Sequence, residues 1–118
     1  MNESEILQKA IDTYGIDAQL EMVVEECSEL IHAIQKLKRQ KYSIYAGKRP
    51  VDRTVNDTLA YDVVCSEIAD VQILIDQMMT VFDKETINVC RERKIKRLEE
   101  RLNKNIFKPF PLSPLRGG

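Results

Sequence analysis

The chain has 118 residues, of which 43% are hydrophobic and 31% charged, and its formal net charge is -1. This length supports one domain with a modest core, and the near-neutral charge argues against an electrostatic binder of polymeric nucleic acid. The three cysteines form no CxxC pair, which argues against a disulfide framework or a structural zinc site. No apolar run approaches the ~18 residues of a transmembrane helix, so we expect a cytoplasmic protein that does not bind a membrane.

The spacing of apolar residues predicts four helices and therefore an all-α, bundle-like fold. Asn2, Asp17 and either Asn56 or Asp57 are the predicted N-caps of the first three helices. In chain order, the predicted helices cover residues 2–13, 17–39, 57–82 and 84–103, with Thr86 as an alternative start of the fourth.

The predicted domain is a single helical unit over residues 1–106, followed by a Pro-rich tail at residues 107–118. A loop at residues 40–56 separates helices two and three, because this stretch lacks helical periodicity and contains a glycine and a proline. The loop either closes over a nucleotide or simply connects the helices. Its aromatic and basic residues are Tyr42, Tyr45, Lys48, Arg49 and Arg53.

Helices two and three repeat one pattern of apolar and acidic residues, displaced by 41 positions. The motif VxxExxEL at residues 23–30 recurs as VxxExxDV at residues 64–71. We predict that each helix packs through the apolar stripe of this motif. The stripe consists of Val23, Cys27, Leu30 and Ile34 in helix two, and of Val64, Ile68, Val71 and Ile75 in helix three.

Four acidic side chains occupy matching positions beside the two stripes. At about 100° per residue, Glu26 lies about 60° and Glu29 about 120° to one side of the stripe. Glu67 and Asp70 hold the same offsets on helix three, so packing of the helices would bring four carboxylates into one groove. Carboxylates buried together are unfavourable unless they are protonated or a cation lies among them. An all-oxygen set favours Mg²⁺, Mn²⁺ or Ca²⁺, and Mg²⁺ completes its shell with water and phosphates, which indicates hydrolysis of a phosphate ester or anhydride.

Other interpretations of these acidic residues remain open. Glu25 projects near the solvent side, where it would support the metal site or act as the base for a water. Glu29 and His32 form an ExxH motif typical of di-iron bundles, but such sites need a second ExxH and His32 is the only histidine. All the acids could instead face solvent in a non-enzymatic helical protein-interaction module.

The sequence EECSE at residues 25–29, followed by EIAD at residues 67–70, resembles the EExxE…ExxD signature of the MazG-like, all-α nucleoside triphosphate pyrophosphohydrolases. The similarity spans roughly residues 18–102. It implies a homodimer or homotetramer that cleaves (d)NTP to (d)NMP and pyrophosphate, and we expect a role in nucleotide-pool housekeeping. The alternative is a metal-dependent hydrolase of another nucleotide-like phosphoanhydride. The resemblance also implies a Mg²⁺ ion, or Mn²⁺, on four ligands: Glu26, Glu29, Glu67 and Asp70.

A basic residue on the helix after the ExxD motif usually meets the phosphates in this family. Lys94 is the best match, with Arg97 and Arg101 as further substrate-binding candidates at helical spacing. The candidate catalytic residues are thus Glu25, from its position beside the metal site, and Glu26 and Lys94, from the resemblance. The basic residues could equally form a solvated stripe on helix four.

Overall fold

The computed structural model describes residues 1–39 and 55–104, and in these ranges it contains helices and no strand. The all-α prediction is therefore confirmed for this part of the chain. The helices are α1 (Glu3–Tyr14), α2 (Ile16–Arg39), α3 (Val55–Val81) and α4 (Lys84–Asn103). None of the described helices combines the length and the apolar character that a membrane span requires.

The chain divides into two compact units, Met1–Val81 and Phe82–Gly118. The first unit contains α1, α2 and α3, and the second contains α4. The Pro-rich tail and the aromatic and basic residues of the predicted loop lie outside the described residues, so the boundaries 1–106 and 107–118 stay a prediction.

Two of the predicted helix starts are confirmed by their capping hydrogen bonds. Asn2 accepts a hydrogen bond from the Glu5 amide through its Oδ1, at 2.8 Å, and α1 begins at the next residue. Asp83 likewise caps α4 by accepting from the Thr86 amide at 3.2 Å. The hydrogen bonds from the side chain and backbone of Thr86 lower the pKa of Asp83.

Two other predicted starts are wrong by one or two residues. Helix α2 begins at Ile16, so Asp17 lies in the first turn, where its negative charge is favourable near the helix N-terminus. Helix α3 begins at Val55, inside the predicted loop 40–56, because the sequence offers several capping residue types in succession and the prediction used a later one. Gly15 separates α1 from α2 with φ 92 and ψ 156, a backbone conformation that is almost exclusive to glycine.

Helices α2 and α3 form an antiparallel hairpin, and α1 packs against both. The direction follows from Gln19, near the start of α2, which donates a 2.6 Å hydrogen bond to Gln77, near the end of α3. Gln77 in turn donates to the backbone carbonyl of Leu7 in α1 at 3.4 Å, and Ile11 of α1 is buried.

The seam of the hairpin does not follow the predicted apolar stripe. Ile34, Ile68 and Ile75 are exposed by 38%, 43% and 47%, so the prediction that both helices pack through this stripe is wrong in part. The buried residues are Gln19, Ala33 and Leu37 of α2, and Ala60, Leu74, Gln77 and Met78 of α3.

Four of these seven buried residues lie on a seven-residue series in each helix, and the other three follow at steps of three or four residues, as in other seams between long packed helices. In α2 the series 19, 26, 33 passes through Glu26, and in α3 the series 60, 67, 74 passes through Glu67. The seam is thus rotated by about 60° from the apolar stripe toward the acidic side chains. The two series also match under the 41-residue repeat, so the fold places equivalent acids in the interface of both helices.

Candidate metal centre

Three carboxylates meet in the middle of the hairpin. Glu26 projects from α2, and Glu67 and Asp70 project from successive turns of α3. One oxygen from each lies within 4.8 Å of the other two. Glu26 and Glu67 are half-buried because they occupy the seam, whereas Asp70 is exposed at its edge. Packing of the repeated motif therefore brings together three of the four predicted ligands.

One oxygen of this cluster is buried without a partner. Oε2 of Glu67 has no hydrogen-bond partner in the part of the chain that the structure describes. A buried polar atom left in this state costs about 1–3 kcal/mol, and more when it is charged. A divalent cation coordinated by this oxygen would remove that cost. Three carboxylates without a thiolate or imidazole fit Mg²⁺ or Mn²⁺ rather than Zn²⁺.

The electrostatics of Glu26 indicate the same need for positive charge. Loss of solvent around the side chain raises the pKa of Glu26 most, and a hydrogen bond with Glu67 raises it further. The negative charges of Asp70, Glu67 and Glu25 add to this rise in pKa. The site thus disfavours full ionisation unless a cation balances its carboxylates.

The other predicted acidic residues lie outside the three-carboxylate cluster. Glu29 is exposed and contributes no oxygen to it, so its role as a ligand stays a prediction. Glu25 is exposed and acts on the site through its charge on Glu26. His32 is also exposed, and among the described residues it joins no group of three or more potential ligands.

The predicted phosphate-binding residues all belong to α4, in the second compact unit. Lys94, Arg97 and Arg101 are each partly buried. Their spacing of three and four residues places them on one face of this helix. Their contact with phosphates stays a prediction.

A groove of about 510 Å³ begins at the carboxylates and runs along the hairpin to the end of α1. Glu26 and Asp70 line one part of it, and most of the remaining wall is apolar. The complete lining is Tyr14, Ala18, Gln19, Met22, Glu26, Asp70, Ile73 and Leu74.

The sequence-based site omitted the groove residues beyond the two acids. Gln19 and Leu74 lie seven residues from Glu26 and Glu67, respectively, on the same side of their helices. This seven-residue spacing could have predicted both of them from the sequence. Tyr14 carries no such signal, since it enters the groove only through the break at Gly15.

Both motifs of the MazG-like resemblance lie on the hairpin, EECSE on α2 and EIAD on α3. Comparison of the chain with protein-family models, with curated proteins and with solved structures gives no match. Membership of that family stays a prediction carried by the two motifs.

Proposed function

We propose that the chain is a Mg²⁺-dependent hydrolase of the MazG-like kind that converts (d)NTP to (d)NMP and pyrophosphate, in cytoplasmic nucleotide-pool housekeeping. The observation that carries the proposal is the buried Oε2 of Glu67, which has no hydrogen-bond partner among the described residues. Glu67 clusters with Glu26 and Asp70, and those two acids line one part of the groove. A triphosphate would lie at the carboxylates, and the organic part of the nucleotide would lie in the groove.

Glu26, Glu67 and Asp70 are the residues that would hold Mg²⁺ or Mn²⁺, with Glu29 as the further candidate ligand. The bound ion would supply positive charge to the phosphate oxygens and lower the pKa of a water. Without that charge the same carboxylates would repel a triphosphate, so the cluster by itself is a poor phosphate site.

The remaining chemistry would belong to other side chains, one next to Glu26 in sequence and the others on α4. The exposed Glu25 carboxylate is the proposed acceptor of the proton that the attacking water loses, next to Glu26 on the same helix. Lys94, with Arg97 and Arg101 as alternates, would supply positive charge to the phosphates, as the resemblance implies.

The groove supports a nucleotide rather than a bare polyphosphate as the substrate. Its volume of about 510 Å³ falls in the range of small-molecule sites. Ala18, Met22 and Ile73 provide apolar walls, and Tyr14 provides an aromatic face at the end of α1. A planar base fits such walls, because it gains from apolar burial and from stacking on an aromatic ring.

We also propose that the chain forms a homodimer or homotetramer. Ile34, Ile68 and Ile75 of the misassigned stripe are more than a third exposed, and Leu30 and Val71 lie among them half-buried. A row of this kind on one side of a hairpin supports burial against a second copy. Light scattering coupled to size-exclusion chromatography would give two or four copies, and a monomer would contradict this part of the proposal.

The test is pyrophosphate release from a panel of ribo- and deoxyribonucleoside triphosphates, with Mg²⁺ or with chelator. Wild type should release pyrophosphate only with Mg²⁺. Glu67→Gln should lower the rate by at least about 100-fold, because the metal's contribution is several kcal/mol of transition-state stabilisation. The matched control is Glu21→Gln, an exposed acid on the same helix as Glu26, which should keep the wild-type rate. An equal rate in Glu67→Gln would contradict the proposal.

A non-enzymatic interaction module is the second candidate, and the exposure of Val24 (66%) and Ile31 (58%) favours it. Such a module would bind partner helices through these side chains and would release no pyrophosphate. A hydrolase for another nucleotide-like phosphoanhydride would also release no pyrophosphate from the triphosphates. Mg²⁺ would raise the melting temperature of such a hydrolase, whereas it would not change that of an interaction module.

A further inference from the structure

Gln19 and Gln77 are the polar side chains that the structure buries in its described part. Their exposed fractions are 7% and 3%. Gln19 lies seven residues before Glu26 in the hairpin seam and lines the groove, whereas Gln77 is not among the described residues of the groove wall. A buried amide in a mostly apolar wall is costly unless its orientation and partners are fixed.

The orientation of both amides follows from one backbone group. The carbonyl of Leu7 only accepts hydrogen bonds, so the amide end of Gln77 that faces it must be Nε2. The Oε1 of Gln77 then accepts from Nε2 of Gln19 at 2.6 Å. Rotation of either amide would set two carbonyl oxygens against each other. The Gln19 amide is therefore held with Nε2 toward Gln77 and cannot exchange its donor and acceptor ends.

We propose that Gln19 is a specificity-determining residue that selects the base of the nucleotide in the groove. This inference rests on the proposed function. The carboxylates at the other end of the groove would hold the metal, and the side chains of Ala18, Met22, Ile73 and Leu74 offer no hydrogen bonds. Of the two remaining polar side chains in the wall, the Tyr14 hydroxyl is exposed and can rotate, whereas the Gln19 amide is buried and fixed. A base whose polar edge matches the fixed amide keeps it satisfied. A mismatched base buries the amide without a partner, which is the arrangement that gives strong discrimination between substrates.

The primary test compares wild type with Gln19→Leu on dATP, dCTP, dGTP and dTTP. The quantity is the ratio of kcat/KM for the best base to that for the worst. We expect this ratio to fall at least about tenfold in the variant, the size expected for one or more lost hydrogen bonds. Ribose 5-triphosphate, which lacks a base, should be cleaved equally by both proteins. A ratio that does not change, or an equal loss on all substrates including ribose 5-triphosphate, would overturn the inference.

Two further variants separate selection from folding. Gln19→Leu leaves Oε1 of Gln77 unpartnered, whereas the double variant Gln19→Leu/Gln77→Leu removes both groups and should recover the melting temperature. The double variant should still lack base preference. Gln77→Leu alone should also reduce the preference, because it releases the Gln19 amide. The control Gln72→Leu, at an exposed glutamine of α3, should retain it. Preserved preference in the double variant would overturn the inference.

Binding of free 2′-deoxynucleosides in the presence of chelator gives a readout that does not need hydrolysis. Saturation-transfer NMR should rank the nucleosides for wild type in the order of the triphosphate panel, and should show a flattened ranking for Gln19→Leu. If the triphosphates are hydrolysed and the best-to-worst ratio of kcat/KM is the same in wild type and Gln19→Leu, the inference is overturned and the proposed function stands. If no triphosphate is hydrolysed but wild type still ranks the nucleosides, the proposed function is overturned and the inference stands. Absence of any ranking in wild type would overturn the inference.

Discussion

Replacing Glu67 with glutamine separates the cost of a buried carboxylate from its use as a metal ligand. Without metal, Oε2 of Glu67 has no hydrogen-bond partner among the described residues, and the side chain shares a hydrogen bond with the carboxyl of Glu26. The amide of a glutamine removes one charge and places an N–H donor beside Glu26. In chelator, we therefore expect Glu67→Gln to raise the free energy of unfolding by about 1–3 kcal/mol.

The assay is thermal unfolding followed by circular dichroism, in chelator and in saturating Mg²⁺. At roughly 4 °C per kcal/mol for a domain of this size, the variant should melt higher than wild type in chelator by roughly 4–12 °C. Magnesium at about 100 times its Kd adds about 2.7 kcal/mol to a protein that binds it, or roughly 10 °C. Wild type should gain this shift and Glu67→Gln should not, so the gap between the two proteins narrows or reverses in Mg²⁺.

The measurement in Mg²⁺ distinguishes the two candidate functions. In chelator it does not, because Glu67→Gln should be neutral or stabilising in an interaction module as well. An equal Mg²⁺ shift in wild type and Glu67→Gln, or none in either, would refute the reasoning about the cluster. A lower melting temperature for the variant in chelator would refute the assignment of an unfavourable buried carboxylate. The exposed control Glu21→Gln should behave as wild type in both buffers.

Three further predictions follow from single residues. Glu29→Gln should weaken Mg²⁺ binding, measured by calorimetry, far less than Glu67→Gln, because Glu29 is exposed outside the cluster; equal losses would restore it as a full ligand. In chelator, the pKa of Glu26 in the native protein lies above its reference value of 4.5. Between 4.5 and the raised pKa, the native protein therefore binds more protons than the unfolded protein does. The free energy of unfolding should accordingly fall as the pH rises through this range. Melting curves of wild type should show this fall more steeply than those of Glu26→Gln, and parallel curves would contradict it. Gly15→Ala should destabilise the protein by about 1–3 kcal/mol in urea unfolding, through backbone strain alone, since nothing lies within 4 Å of the added Cβ; an unchanged midpoint would contradict this.

The four helices of the described residues, and most of their ends, were predictable because they depend on local chemistry. Asn2 and Asp83 precede helices and cap them through hydrogen bonds that span three residues, and such bonds can be anticipated from the sequence. The start of α3 was not predictable in this way, because Thr54, Asn56 and Asp57 are all residue types that cap helices, and capping chemistry alone does not choose among them.

The cluster of Glu26, Glu67 and Asp70 was predictable because the 41-residue repeat gives both helices the same angular pattern. The seam of the hairpin was not predictable, because a prediction from the spacing of apolar residues ignores buried polar residues such as Gln19. Its hydrogen bond to Gln77 joins residues 58 positions apart, and only the packed hairpin reveals that pairing. The same rotation of the seam explains why Glu26 and Glu67 are half-buried rather than solvated.

The most direct test of the account is the identity of the products, measured by phosphorus-31 NMR after incubation of the preferred nucleoside triphosphate with Mg²⁺ and the wild-type protein. We expect equal amounts of nucleoside monophosphate and pyrophosphate from wild type, with neither formed in chelator and both reduced at least about 100-fold with Glu67→Gln. Formation of nucleoside diphosphate and phosphate, or an unchanged triphosphate across the whole panel, would contradict it.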